Sequence, residues 1–352
     1  MKLPTSDTAS GNVVRLAPVR VSVVLPVLNE EACIDDALER LRAQTYTDIE
    51  VLVVDGGSTD ATRSIVTRHA TEDARVHLVN NPRRLQSAGL NEALEQARGE
   101  ILVRVDGHSF VEDDYVENCV RILDQTGADV VGGRMVARPV DEPVARGVAI
   151  ANEAVWGAGP AQFHRIGEAG PVDTVYLGTF LVDRLRSLGG WAEDVGVNED
   201  YEMNLRIREA GGTVWFDPEL GVGYRPRRTL QAVAKQYFRY GRSKATVMRR
   251  HPASTKLRQL IPTAVAPAGL VALLPVAQLS IPGGALVIRL TRLAIGAHGV
   301  GLAVAGQKSA ESTRSGVAAS AAAWLMHWTW SAGFWFGLLR PFPSAATIAA
   351  KH

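Results

Sequence analysis

The chain has 352 residues, of which 46% are hydrophobic and 21% charged, with a formal net charge of +1. This length accommodates one large α/β domain and an additional part, and the balanced charge argues against a dedicated nucleic-acid-binding protein. The two cysteines, Cys33 and Cys119, lack metal-ligand spacing and a disulfide framework, so we expect buried thiols in a reducing compartment.

The composition changes along the chain. Residues 1–20 are polar without an apolar core, and we expect a disordered lead that is neither a signal peptide nor a membrane anchor. Between residues 260 and 339 the only acidic residue is Glu311. The sequence therefore predicts two parts with a boundary near 250–258.

Strands and helices are predicted to alternate up to residue 132. Short β-branched runs such as 21–26 predict buried strands, and the apolar spacing of Ile34, Leu38 and Leu41 predicts a helix. This alternation is typical of a doubly wound, mostly parallel sheet. The predicted strands are 21–26, 49–54, 76–79, 101–105 and 128–132, and the predicted helices are 30–43, 58 or 59 to 69, 87–97 and 113–125.

Polar clusters follow three of these strands, at 26–30, 55–60 and 106–108. Ligands of doubly wound sheets bind beyond the carboxyl ends of the strands, so these loops should meet at one edge. Ser58 or Thr59 is also expected to cap the helix that follows. No GxGxxG follows the first strand and no Walker A sequence is present, which disfavours dinucleotide and P-loop sites.

Two short motifs carry candidate chemistry. Asp106 and His108 flank Gly107 and predict a divalent-ion site for a charged diphosphate, although Asp-Gly is also a common turn. Glu199 and Asp200 begin a predicted helix at 198–211. A carboxylate there would act as a general base on a hydroxyl, or would only complement the helix dipole.

The remaining sequence points to a membrane. Residues 225–250 predict a basic amphipathic helix, either interfacial on an anionic membrane or a solvated surface helix. Residues 261–281 are long and apolar enough to span a bilayer, with a bend at their prolines. Residues 316–339, with four tryptophans, are the stronger candidate for a membrane span. Residues 284–306 are a third and weaker candidate because they contain charged residues. The alternative is an all-helical soluble domain.

These ordered motifs (25–30, 53–60, 106–108 and 198–200) resemble those of inverting family 2 glycosyltransferases, which have a GT-A fold. Residues 236–240, Gln-Tyr-Phe-Arg-Tyr, are similar to that family's membrane-proximal QxxRW motif. The whole chain most resembles the succinoglycan-biosynthesis branch, bacterial membrane enzymes that extend a lipid-linked saccharide.

The resemblance implies a division of the chain and a role for each matching residue. The implied parts are a lead at 1–20, a GT-A catalytic domain at 21–226, an interfacial helix region at 227–258, two or three membrane helices at 259–340 and a tail at 341–352. The implied roles are donor binding by Pro26, Asn29, Glu30, Asp55 (on the base) and Asp106; metal binding by Asp106 and His108; catalysis by Asp200 with Glu199 beside it; and closure of the site near the membrane by Gln236, Arg239 and Tyr240.

Two positions depart from the family pattern. His108 stands where the DxD motif ends in Asp, and because imidazole is a softer ligand than carboxylate, both Mg²⁺ and Mn²⁺ are expected to be accepted. Tyr240 replaces the Trp of QxxRW. From charge alone, Arg83 or Arg84 is a further candidate for contact with the diphosphate.

The resemblance thus implies an enzyme on the cytoplasmic side of a bacterial membrane. It would move a sugar, with inversion, from a nucleotide sugar (a UDP-sugar is expected) to a lipid-linked saccharide, with no nucleic-acid partner. A non-catalytic nucleotide-sugar-binding scaffold would keep Asp55 and Asp106 without needing Asp200. A nucleotidyltransferase would have a Gly- and Lys-rich loop after the first strand, and residues 26–29 are not such a loop.

Overall fold

A computed structural model describes residues 21–164, 167–255, 257–275, 283–340 and 342. The predicted lead, most of the tail and residues 276–281 of the first membrane candidate lie outside the described residues. The strands are β1 (Val21–Val27), β2 (Ile49–Asp55), β3 (Val76–Asn80), β4 (Ile101–Arg104), β5 (Val130–Gly133), β6 (Met135–Ala137), β7 (Gly170–Pro171), β8 (Tyr176–Leu181), β9 (Val214–Phe216) and β10 (Val222–Tyr224).

The helices fall into two groups, one around the sheet and one at the carboxyl end. The first group is α1 (Ile34–Arg42), α2 (Thr62–Glu72), α3 (Gln86–Gln96), α4 (Tyr115–Thr126), α5 (Pro143–Glu153), α6 (Val182–Ser187) and α7 (Glu199–Glu209). The second group is α8 (Leu230–Arg250), α9 (Leu257–Leu260), α10 (Val265–Leu273), α11 (Gly284–Ser309) and α12 (Thr313–Leu339).

The central sheet has the strand order β3-β2-β1-β4-β8-β5-β9-β7. β1 pairs in parallel with β2 and β4, β2 with β3, and β5 with β9. β8 lies antiparallel between β4 and β5. The mostly parallel α/β sheet is therefore confirmed. β1 and β2 are mainly apolar and buried almost throughout because helices cover both faces of the sheet.

A second sheet of two parallel strands, β6 and β10, stands beside the first. A bridge between Phe110 and Gly223 ties it to the loop that follows β4. The main sheet and this small sheet therefore both border the segment that carries Asp106 and His108.

Two predicted helix starts were wrong, for one reason. α1 begins at Ile34 rather than at Glu30, whose backbone N–H donates to Thr62 Oγ1 at 2.7 Å. α2 begins at Thr62 without a side-chain cap. Ser58 is not a cap because its Oγ accepts the N–H of Asn29 at 2.9 Å. Bonds between the loops thus replace the capping that local sequence predicts.

Two of the carboxyl-terminal helices, α8 and α12, pack closely against each other. α8 is one continuous helix whose Gly241 lies against the backbone of Trp330 in α12, where an added Cβ would be 1.9 Å from the Trp330 carbonyl oxygen. Gly333 of α12 approaches the Phe238 carbonyl oxygen of α8 in the same way, at 2.1 Å. Small residues therefore let these two helices meet backbone to backbone.

Among the helices that the structure describes, α11 alone is long and apolar enough to cross a membrane, by length and composition. Its apolar side chains are largely exposed, including Leu286, Leu290 and Leu293. α12, the segment favoured by its tryptophans, does not meet that criterion and buries small residues such as Ala319 and Ala322. Of the first candidate, Ile261–Leu273 is a shorter apolar helical stretch.

Candidate active site

The three polar loops meet at the carboxyl edge of β1, β2 and β4. Asn29 Oδ1 accepts the backbone N–H of Thr59 at 2.8 Å, which joins the first loop to the second. Glu30 Oε1 lies 3.0 Å from His108 Nδ1, which joins the first loop to the third. The predicted convergence of these loops is confirmed.

Two glycines shape the edge. Gly57 has a φ of +84°, which side chains rarely adopt, and an added Cβ there would lie 3.2 Å from Arg84 Nε. Gly107 packs against β1, and its added Cβ would lie 2.7 Å from Val27 Cγ1. Of the two arginines proposed for the diphosphate, Arg84 lies beside the second loop, whereas Arg83 binds Glu92 and Glu193.

We expect Gly107→Ala to lower the free energy of unfolding by about 1 to 3 kcal/mol, because buried Val27 must move to admit the methyl group. Thermal unfolding would measure this loss. Gly170→Ala is the matched control, since an added Cβ at Gly170 has no neighbour within 4 Å. Equal melting temperatures for the two variants would contradict close packing at Gly107.

Arg104 is the residue that sequence reasoning missed. Its guanidinium is buried at the end of β4 and donates to three carboxylates. Nη1 donates to Asp200 Oδ1 at 2.5 Å and to Glu199 Oε1 at 3.2 Å. Nε and Nη2 both donate to Asp106 Oδ1 at 3.2 Å. One cation therefore joins the proposed metal ligand to the proposed base.

Burial and charge set the proton affinities of this cluster. Burial works against the Arg104 charge, but Asp200, Asp106 and Glu199 raise its pKa well above the usual value. Burial raises the pKa of Glu199 to about 7 against the opposing effect of Arg104. Burial raises the pKa of Asp200 as well, again against Arg104. The two carboxylates are thus better proton acceptors than ordinary acids.

Exposure distinguishes the two carboxylates of α7. The Asp200 side chain is 21% exposed, whereas that of Glu199 is 4% exposed. Asp106 is 14% exposed. Asp200 and Asp106 are therefore partly accessible from solvent, whereas Glu199 is nearly fully buried against Arg104.

Asp106 and His108 fit a divalent cation held jointly with a phosphate ligand. In the described part of the chain, no hydrogen bond occupies Asp106 Oδ2 or His108 Nε2, since the bonds to Arg104 and Glu30 use the other atoms. Glu30 raises the pKa of His108 and orients its ring, as carboxylates do for metal-binding imidazoles. No cluster of three His, Cys, Asp or Glu in the described ranges could hold an ion, so phosphate oxygens and water would complete its shell.

Asp55 shapes the second loop from inside. Its side chain is buried and accepts the N–H of Ser58 at 3.0 Å and Arg63 Nη1 at 3.0 Å. Although burial opposes ionisation, these bonds keep the pKa of Asp55 below its usual value. Pro26 is half-buried in β1 near this loop. Both remain predicted donor-site residues.

The residues that resemble QxxRW divide into two sets. Gln236 Nε2 donates to Tyr240 Oη at 2.7 Å, and Asn198 Nδ2 donates to the Tyr240 carbonyl at 3.4 Å, next to the start of α7. Arg227 Nε also donates to Gln236 Oε1 at 3.3 Å. Arg239 is exposed and contacts none of these residues through hydrogen bonds or ion pairs in the described structure. The structure thus brings Gln236 and Tyr240 to the site but not Arg239.

Comparisons with known proteins find relatives along most of the chain. The family model described as glycosyl transferase family 2 matches residues 22–182. The chain is 36% identical over 323 residues to the succinoglycan biosynthesis protein ExoA of Rhizobium meliloti (strain 1021), covering 90% of this chain and 94% of that protein. It is 24% identical over 242 residues to the dolichyl N-acetyl-alpha-D-glucosaminyl phosphate 3-beta-D-2,3-diacetamido-2,3-dideoxy-beta-D-glucuronosyltransferase of Methanococcus voltae, covering 65% and 74% of the two chains.

The fold also has a solved counterpart. The mannosyltransferase PcManGT from Pyrobaculum calidifontis, solved with GDP-Man and Mn²⁺, superposes with a TM-score of 0.59 at 23% identity. The match covers 91% of this chain and 87% of that chain. At this identity the likeness shows the shared GT-A architecture.

Proposed function

This chain belongs to glycosyl transferase family 2, and on that premise we propose that it extends a lipid-linked saccharide at a bacterial cytoplasmic membrane. The donor would be a nucleotide sugar, a UDP-sugar or a GDP-sugar, and the transfer would invert the anomeric carbon. The likeness to ExoA supports a role in exopolysaccharide synthesis.

The observation that carries this proposal is the bridge that Arg104 makes between Asp200 and Asp106. Asp200 is the accessible carboxylate of α7, and its raised pKa suits a general base. In the proposed step Asp200 takes the proton of an acceptor hydroxyl, whose oxygen bonds to the anomeric carbon as the bond to the nucleoside diphosphate breaks. Arg104 would hold Asp200 in position beside the donor.

Asp106 and His108 would hold a divalent cation. When bound, that cation would supply charge neutralisation for the departing diphosphate. PcManGT was solved with Mn²⁺ and GDP-Man, which supports metal dependence in this chain. The mixed carboxylate and imidazole donors leave Mg²⁺ and Mn²⁺ as the two candidates.

The exposed apolar surface of α11 supports membrane association, since soluble proteins rarely expose large apolar patches. The name of the Methanococcus voltae relative describes an enzyme acting on a dolichyl-phosphate sugar. Together these observations favour an acceptor carried by a lipid.

A donor screen tests the proposal. We expect one nucleotide sugar, at about 100 times its Kd, to stabilise the detergent-solubilised protein by about 2.7 kcal/mol, and only with Mn²⁺ or Mg²⁺ present. Thermal unfolding measures the shift, and Asp106→Asn should lose it because one metal ligand is removed. The same donor should then be consumed when a lipid-linked saccharide is added.

Two outcomes would contradict the proposal. A donor that stabilises the protein but is never transferred to any saccharide acceptor would favour the non-catalytic scaffold. If the donor stabilises the protein equally after EDTA treatment, the proposed divalent cation is rejected, while the proposed sugar transfer is not.

A further inference from the structure

A pocket whose lining includes three arginines lies beside the candidate active site. Its volume is about 360 Å³. Arg138 follows β6 and Arg225 follows β10, and because these strands are parallel neighbours, both arginines extend from the same end of the small sheet. The N–H of Arg138 donates to the Tyr224 carbonyl at 2.9 Å, which fixes this end. The lining residues are Phe110, Arg138, Pro139, Val140, Arg225, Pro226 and Arg228.

The pocket concentrates positive charge. Arg228 lies 3.7 Å from Glu142, and the neighbouring Arg40 lies 3.4 Å from Asp36. The guanidinium carbons of Arg138 and Arg225 lie 4.6 and 5.0 Å from the centre of the Phe110 ring, and that of Arg40 lies 5.6 Å away. Within the described residues, no carboxylate lies within 4.0 Å of Arg138 or Arg225. The aromatic face offsets part of the repulsion among these cations. An anion would offset the rest.

The pocket is connected both to the loop of His108 and to the end of the candidate membrane helix. Phe110 is two residues beyond His108 in the sequence. The carbonyl of Val140, another lining residue, accepts Arg146 Nε at 3.3 Å. Arg146 Nη1 in turn lies 3.7 Å from Glu311, two residues beyond the end of α11. A lipid headgroup beside this end of α11 would therefore lie near both the pocket and the active-site loop.

We propose that this arginine pocket binds a phosphate or diphosphate group carried by a lipid. Guanidinium groups bind phosphate oxygens through paired hydrogen bonds. Arg138 and Arg225 suit that role because neither has a carboxylate partner in the described structure, although Arg225 Nη1 also donates to Cys33 Sγ at 3.3 Å. The identification of the lipid as the saccharide acceptor rests on the proposed function. The anion site itself rests only on the pocket.

Calorimetric titrations in metal-free, detergent-containing buffer test the site with two probes, inorganic diphosphate and farnesyl diphosphate. The double variant Arg138→Gln/Arg225→Gln should weaken the binding of both probes by about tenfold or more. Arg68→Gln/Arg121→Gln removes the same charge from exposed arginines elsewhere and should bind as the parent protein does. Arg138→Lys/Arg225→Lys should recover part of the affinity.

The outcomes separate the sources of the phosphate. Tighter binding of farnesyl diphosphate than of inorganic diphosphate supports a lipid ligand, whereas equal binding assigns the pocket to a free phosphate and overturns the lipid. Unchanged binding in the pocket variant overturns the site. Neither donor nor transfer enters these titrations, so a failure of the proposed glycosyl transfer would leave their result intact.

Discussion

We expect the substitution Asp200→Asn to lower the turnover number of sugar transfer by about 10²- to 10⁴-fold and to leave donor binding nearly unchanged. Asn has almost the same shape as Asp but accepts no proton at neutral pH, so the acceptor hydroxyl is no longer activated. Steady-state kinetics with the identified donor measures the turnover number, and thermal shift measures donor affinity.

Glu199→Gln is the matched control for Asp200→Asn. Both substitutions replace a carboxyl group beside Arg104 with an uncharged amide of almost the same shape, but Glu199 is 4% exposed and Asp200 is 21% exposed. If accessibility decides which carboxylate is the base, Glu199→Gln should cost about tenfold or less in turnover. A larger loss in Glu199→Gln than in Asp200→Asn would reject Asp200 as the base.

Replacing Arg104 with Met is expected to destabilise the fold and to abolish transfer. It would leave three carboxylates around a buried position without their cation, which typically costs about 3 to 5 kcal/mol in the free energy of unfolding. Urea unfolding would measure this loss. The double variant Arg104→Met/Glu199→Gln should recover part of the lost free energy of unfolding, because one buried carboxyl group without a cation is then removed. Transfer should stay absent.

Arg104→Lys keeps the prediction testable if the Met variant does not fold. Lysine retains the positive charge but lacks the rigid set of five donors that reaches Asp106, Glu199 and Asp200 together. We expect this variant to fold, with transfer lowered by about 100-fold through misplacement of Asp200. Full activity in Arg104→Lys would show that charge alone is needed, and full stability in Arg104→Met would show that the carboxylates are already solvated.

The loop residues of the site were predictable because their placement follows from local patterns. An apolar strand that ends in a polar turn has a defined carboxyl end, and parallel neighbours bring such ends to one edge. Asn29, Glu30 and His108 meet there as expected, with bonds of 2.8 and 3.0 Å to the neighbouring loops. Two other bonds between the first and second loops, from Glu30 N–H to Thr62 Oγ1 and from Asn29 N–H to Ser58 Oγ, explain why the predicted starts of α1 and α2 failed.

Arg104 could not be identified in the same way. It lies within the strand sequence Ile-Leu-Val-Arg, and a single arginine there has no periodic signal. Its partners Glu199 and Asp200 are 95 and 96 residues away. Nor does any local pattern predict that β8 inserts antiparallel between β4 and β5.

The sequence by itself determined the strand ends, the polar loops and the carboxylates of α7, because strand length and turn residues depend on near neighbours. Only the tertiary structure decided where α1 and α2 begin, which carboxylate of α7 is accessible, which cation holds it, and which apolar helix stays exposed. Burial and charge pairing depend on segments distant in the chain that pack together, and for Asp200 that packing joins the end of β4 to the start of α7.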